Sequence, residues 1–325
     1  MGVDFNSAKF LLWSKNLGVA FERTLTLGHL GFASSHPKLQ QIVRNFGLNA
    51  SQEEIDRCLE QPAFAPRYCD AFLQLLGARE LVTVDRSDFE GATLLHDLNL
   101  PFPEHLKESF DLVIDGGTLE HVFNYPAALS NCLELLRVGG HFLTITPAAG
   151  LMGHGFYQFS PELFFRIFSE ERGFRLRKLV IFDCTKSDAP FYEMQDPALQ
   201  GERSASPLGV IMMAVLAEKI AHPPAVLEPP QQSDYAAIWK NHQQGQSEST
   251  PAKTKPPGLI RRFRIALNPY WPIWLRDLRD ELRGRFNWYV GTRQGRLSNP
   301  RFYRRISNAE LFNKRSAPSD GKDKP

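Results

Sequence analysis

With 325 residues, 42% of them hydrophobic and 23% charged, the chain can bury one sizeable core and still leave residues for an appendage. Its four cysteines, Cys58, Cys69, Cys132 and Cys184, form no CxxC pair or other close spacing, which excludes a disulfide scaffold and reads as thiols kept reduced in the cytoplasm. The longest apolar run, PLGVIMMAVLA from Pro207, falls short of the roughly 20 residues of a membrane span, and the N-terminus lacks the basic-then-apolar pattern of a secretory signal.

Taken in chain order, apolar strand-like runs alternate with helical patterns, as in an α/β domain. Strands are expected at Arg23–Leu27, Glu80–Asp85, Phe110–Asp115, His141–Thr146, Arg177–Asp183 and Leu208–Leu216. Most are continuous apolar runs, as strands buried on both faces are. Between the first two, Ala33 to Ala65 reads as inserted helices, a candidate lid, followed by a helix over Pro66–Leu76. Helical spacing also covers Tyr125–Arg137 and Pro161–Glu171, and Val138-Gly139-Gly140 supplies a left-handed stop to the first of these.

The predicted fold is therefore α/β: a doubly wound, Rossmann-like, seven-stranded and mostly parallel sheet over residues 1–220. A Pro/Gln/Ser-rich linker is expected over 221–258, with Tyr235 to Trp239 as a helical island, then a basic aromatic helical extension over 259–310 and a disordered tail over 311–325. Residues 221–325 carry 19 basic against 9 acidic side chains, and the first 220 carry 19 against 27. Such asymmetry points the C-terminal part at an anionic surface. Residues 259–290, with Trp271, Trp274 and Trp288, are expected either to lie on an anionic membrane, peripheral to its inner face, or to dock on the acidic domain; nucleic acid is the weaker alternative.

In a doubly wound sheet the ligand lies beyond the carboxyl ends of the strands. The first strand ends in Gly28-His29-Leu30-Gly31, where glycines let backbone approach a ligand or merely make a turn. The second ends on Asp85, a carboxylate able to accept from both hydroxyls of a ribose. Asp97, in LLHDLN, can take the amino group of an adenine, or form a turn. The third strand opens FDLVIDGGTLEHV, in which Asp115 is followed by Gly116, Gly117, Thr118 and the Glu120-His121 pair. This last pattern, with LELLRVGGHFLTITP after it, resembles the fourth strand, helix and fifth strand of class I S-adenosylmethionine-dependent methyltransferases of the small-molecule or sugar type, over roughly residues 20–220.

That resemblance implies S-adenosyl-L-methionine as cofactor, with Asp85 on the ribose, Asp97 near the adenine, Gly28 near the methionine part, and Gly31, Asp115 and Gly116 in the same site. The chain departs from the pattern where His29 and Leu30 interrupt the glycines. A non-catalytic binding or scaffold module with the same fold is the alternative. On the enzyme reading, His154 in the Gly153-His154-Gly155 loop is the first candidate base for an acceptor hydroxyl and His121 the second, because imidazoles titrate near neutrality. Tyr157 and Gln158 are candidate acceptor-pocket residues, the acceptor being a small molecule or glycan precursor. Neither HExxH nor a similar short spacing occurs, so no metal is expected.

Overall fold

The computed structural model describes residues 2–60, 66–200, 207, 209–222, 229–243, 278, 281–282 and 296–313. The chain begins with β1 (Gly2–Asp4) and α1 (Phe5–Asn16), an element without segregated apolar and polar faces because Phe10, Leu11, Leu12 and Trp13 are all buried. Asp4 starts α1: its Oδ1 accepts from the Ser7 backbone N–H at 2.7 Å, satisfying a donor that the first turn leaves free. After β2 (Arg23–Leu27) come β3 (Gly31–Ala33), α2 (His36–Asn45), α3 (Gln52–Leu59) and α4 (Asp70–Leu75). Ser51 and Glu54 form a reciprocal capping box at the start of α3. Then follow β4 (Glu80–Asp85), β5 (Leu94–Leu95), β6 (Phe110–Asp115), α5 (Tyr125–Glu134), β7 (Leu136–Ala149) and α6 (Pro161–Ile167). The remaining elements are β8 (Phe174–Asp183), β9 (Tyr192–Met194), α7 (Pro197–Gln200), β10 (Ile211–Lys219), α8 (Ser233–Gln243), β11 (Tyr303–Arg305) and α9 (Asn308–Phe312).

The main sheet runs β11-β9-β8-β10-β7-β6-β2-β4-β5. Strands β7, β6, β2, β4 and β5 are mutually parallel, and β10 is antiparallel to both β7 and β8. Seven strands, β5 to β8 in that order, form the expected doubly wound unit; β9 and β11 extend it to nine, so the expected count is corrected. The two additions are only three residues each, too short to give an alternating pattern. The order reverses between β2 and β6, and it is beyond the ends of strands at such a switch point that doubly wound sheets in general hold ligands.

Side chains alternate across the sheet. Leu112 and Ile114 of β6, Val180 and Phe182 of β8, and Ala214 and Leu216 of β10 meet α1 to α4 and Leu311 of α9. Val113, Leu179, Ile181, Met213 and Val215 face the other way, onto α5, Phe164 of α6, Phe302 and Tyr303. Two apolar layers thus flank one sheet.

Three expectations are corrected locally. Helix α5 ends at Glu134, and Gly139, at φ 85°, forms a bulge inside β7, where the register against β6 jumps between Phe110 and Leu112. The helix expected over Pro161–Glu171 stops at Ile167, with a separate 3-10 turn at Glu170–Arg172. Residues expected to belong to the extension and tail return to the fold: β11 pairs with β9, and Leu311 is buried. Arg304 binds Glu193 and Glu310, and Lys178 reaches Glu193 at 2.9 Å, so one ionic network closes this edge. The helical island is α8, whose Ser233 N–H donates to Glu162 Oε1 at 2.8 Å. Residues 223–228 and 244–258 of the linker, 259–277, 279–280 and 283–295 of the basic extension, and 314–325 of the tail lie outside the described residues. Among the described residues no helix is long and apolar enough to cross a membrane, and Cys58, Cys69, Cys132 and Cys184 are free thiols.

Candidate active site

Two cavities open at the carboxyl ends of the strands, on either side of the loop that follows β6. The first, about 280 Å³, is lined on one side by Val84, Asp85, His96, Asp97 and Leu98, and on the other by Thr118, His121, Val122 and Phe156. The second, about 370 Å³, is bounded by Gly116, Gly117, Glu120, Leu151 and His154, and is closed by Gly2, Asp4 and Ser7.

Asp115 is the hinge of the wall between them. It is fully buried, and its Oδ1 accepts from the Thr118 and Leu119 N–H groups at 2.8 and 3.2 Å. Its Oδ2 accepts from Thr144 Oγ1 at 2.7 Å. Burial raises its pKa, and these hydrogen bonds work against that rise. The Asp115 carboxylate is thus spent on the turn that carries Gly116 to His121, while Thr118 Oγ1 donates back to Leu27 O at 2.6 Å and fastens the turn to β2.

In the first cavity, Asp85 accepts, among the described residues, only one long side-chain bond, from Ser87 N–H at 3.2 Å, and is half-buried. Asp97 accepts from both the backbone and the side-chain nitrogens of Asn99, at 3.0 and 2.7 Å, which lowers its pKa and holds it ionised. Two carboxylates beside the apolar Val84 and Leu98 suit a nucleoside, whose ribose and amino groups donate while its base packs on aliphatic surface.

The glycine turn is built differently. Gly28, at φ 78°, needs its missing side chain, and its N–H donates to Val84 O at 2.7 Å. The His29 ring stacks on Tyr68 with centroids 3.4 Å apart, its Nε2 lies 3.0 Å from Asp70 Oδ2 and its Nδ1 2.6 Å from Glu90 O. Leu30 is buried against Gly116, where an added Cβ would meet Leu30 Cδ2 at 2.7 Å. Gly31 pairs with Gly2 of β1. Gly28 and Gly31 therefore line neither cavity, and Leu30 occupies the floor next to Gly116.

Across the wall, Glu120 is 1% exposed, and Thr146 Oγ1 donates to its Oε2 at 3.3 Å. Burial and the nearby Asp115 push its pKa up to about 8. The loop after β7 folds onto it: Phe156 N–H donates to Glu120 O at 2.8 Å, and Gly155, at φ 72°, has no room for a Cβ against that same carbonyl. This brings His154 Nε2 to 3.8 Å from Glu120 Oε1 and its ring to 4.9 Å from that of His121. Burial followed by the facing His154 lowers the His121 pKa. Tyr157 and Gln158 line neither cavity. The Tyr157 hydroxyl donates to Phe123 O at 2.6 Å, and Gln158 Oε1 accepts from Leu151 N–H at 2.9 Å, so both brace the loop.

Asp85, Asp97 and His121 therefore meet at one cavity, and Gly116 and His154 at the other. The described residues of the Ala33–Ala65 insertion, α2 and α3 included, line neither; Leu39, Ile42, Val43, Phe46, Ile55 and Cys58 pack into the core beside α1 and α4. The parts of the site that the sequence did not single out are Glu120 as a buried acid and the Asp4–Ser7 turn at the mouth. The signal that could have found the latter is Asp4 as a helix cap, three residues before Ser7.

Residues 72–144 match the family model of a methyltransferase domain. This segment runs from α4 into β7 and contains Asp85, Asp97, Asp115, Glu120 and His121. The match spans less than a quarter of the chain, and the strand order around it is that of a doubly wound, Rossmann-like sheet. No curated protein matches the sequence. Among solved structures, the trans-methyltransferase CalH in complex with SAH is similar at 15% identity and TM-score 0.32, covering 65% of this chain and 54% of CalH. A 1,6-didemethyltoxoflavin-N1-methyltransferase of Burkholderia thailandensis is similar at 13% identity and TM-score 0.34, covering 67% and 78%. A possible histamine N-methyltransferase of Thermotoga maritima stands at 14% and 0.34, covering 65% and 91%. The chain thus spans about half the length of CalH.

Proposed function

We propose that the protein is an S-adenosylmethionine-dependent methyltransferase acting on a small molecule or a sugar or glycan precursor, with a hydroxyl as the methylated group. One observation carries this reading: a cavity holding Asp85, Asp97 and His121 and a cavity holding Glu120 and His154 share a single wall, Gly116 to His121. When bound, the cofactor supplies an electrophilic methyl group on a sulfonium. The chain's own part is positioning and proton removal. Asp85 and Asp97 hold the nucleoside end, Glu120 and His154 face the acceptor and handle its proton, and His121 meets the His154 ring from the nucleoside side of the wall. His154, 47% exposed in its side chain and on a glycine-flanked loop, is the first candidate to take it, and His121 is the second. Relatives with methyltransferase names, and the family match over 72–144, support the reaction class.

A second reading, a non-catalytic binding module, is favoured by one feature, the buried Leu30 on Gly116 beside a glycine turn tied down by His29, Tyr68 and Asp70. Calorimetric titration with S-adenosylmethionine and its demethylated product separates the two. Binding weakened at least tenfold by Asp85→Ala, with transfer slowed but binding kept by His154→Ala, is expected of the enzyme. A folded protein that takes up neither compound refutes it. Membrane contact through residues 259–290 is a further part of the proposal, tested by liposome flotation with and without that segment; both forms staying unbound would remove it.

A further inference from the structure

We propose that Glu120, His121 and His154 form a binding site for a divalent transition ion of the zinc class, set in the wall between the two cavities. Their ligating atoms lie within 4.8 Å of one another, although His154 is 33 residues from His121 in the chain and no short sequence spacing announces the set. Two imidazoles and one carboxylate are a donor set that borderline ions favour over magnesium or calcium, and three protein ligands leave a coordination position open. The open side would face the acceptor cavity, which Glu120 and His154 both line.

Three further features fit. Glu120 is a fully buried carboxylate whose described partners are one hydroxyl and a histidine 3.8 Å away, so it is short of positive charge. Thr146 Oγ1 binds Glu120 Oε2, leaving Oε1 to the ion and fixing the plane of the carboxylate as an outer hydrogen bond does at metal sites. Among the described residues neither His121 nor His154 has a hydrogen bond to a ring nitrogen. Bonds of about 2.1 Å to a tetrahedral ion set ligand atoms roughly 3.4 Å apart, so closing the set takes a shift of about 1 Å. The His154 side chain is half-exposed and Gly153 beside it has open space, so the imidazole has room to turn toward Glu120.

The inference concerns the same cluster as the proposed function and sharpens it. An ion there would draw the acceptor oxygen and lower its pKa, so that its proton could pass to solvent water and neither imidazole need act as the base. Its test needs no methyl donor. The full-length protein, stripped with chelator, is titrated with Co²⁺ and followed by visible absorption. Expected are d–d bands of a low-symmetry site, saturating at one ion per chain and displaced by Zn²⁺. His121→Gln and His154→Gln should each weaken the affinity of that site at least tenfold while melting like the wild type. Absence of such bands in the wild type, or wild-type affinity in both variants, overturns the proposal. Glu120→Gln extends the series where that variant folds; the exposed His154 keeps the test decisive where it does not. Cofactor calorimetry on the same samples reads the proposed function separately, since a protein can bind Co²⁺ and no cofactor, or the reverse.

Discussion

The two sides of the Asp115 loop are built on opposite principles. On the β2–β4 side most polar groups are already matched, Asp85 with its single long bond excepted: Asp97 by Asn99, and His29 by Tyr68, Asp70 and the Glu90 carbonyl. On the β6–β7 side a buried acid and two imidazoles crowd together with few partners. A satisfied side is stable and must be displaced to bind. An unsatisfied side is held in place by the rest of the fold and gains when a ligand arrives. The domain thus keeps its electrostatic strain where chemistry is proposed and its rigidity where a nucleoside is to be held.

The comparison can be broken most severely at the hinge itself. Asp115→Ala leaves two N–H groups and a hydroxyl unpaired in a buried turn and should cost about 3–5 kcal/mol in urea unfolding. A loss below about 1 kcal/mol would mean that the two sides do not share that support. Leu30→Ala should cost about 2–4 kcal/mol as a core truncation, yet it should tighten binding of the demethylated cofactor several-fold by clearing the floor at Gly116. Unchanged affinity would relieve Leu30 of any obstructing role.

Acid sharpens the contrast from the far end of the same strand. His141 of β7 is buried, its Nδ1 lacks a partner among the described residues, and burial lowers its pKa to about 4 while Glu218, Arg177 and Arg137 surround it. The unfolded chain takes up this proton near pH 6.5 and the folded chain only near 4. Stability is therefore complete above 6.5 and falls between 6.5 and 4, by about 3 kcal/mol from this group. His141→Gln should flatten that stretch of a stability–pH curve; an unaltered slope would assign the loss elsewhere. The mildest change is at the sheet edge. Arg304→Ala removes a half-exposed ionic partner of Glu193 and Glu310 and should cost about 1 kcal/mol, shrinking in high salt.

Much of the frame could be read from the sequence because strands buried on both faces are continuous apolar runs. Arg23–Leu27, Glu80–Asp85 and Phe110–Asp115 coincide with β2, β4 and β6 to the residue. Helix α1 was not legible, since burial on all sides leaves no amphipathic period, and β5 is a mere two residues. The boundary of α5 failed because Gly139 reads equally as a helix stop or a bulge. In the site, Asp85, Asp97, His121 and His154 were marked by their place after strands. Glu120 was seen as a neighbour of His121, but its burial depends on Thr146 and on the loop folding back from β7, contacts about 30 residues distant. The same holds for the stacking of His29 on Tyr68, which only the intervening helices bring about.

The ninth strand has a consequence for how the molecule is made. Arg304 faces Glu193 across a register of more than a hundred residues. During synthesis the β9 edge stays bare until β11 has been made, so a chain halted before Tyr303 presents a pairing edge to its neighbours.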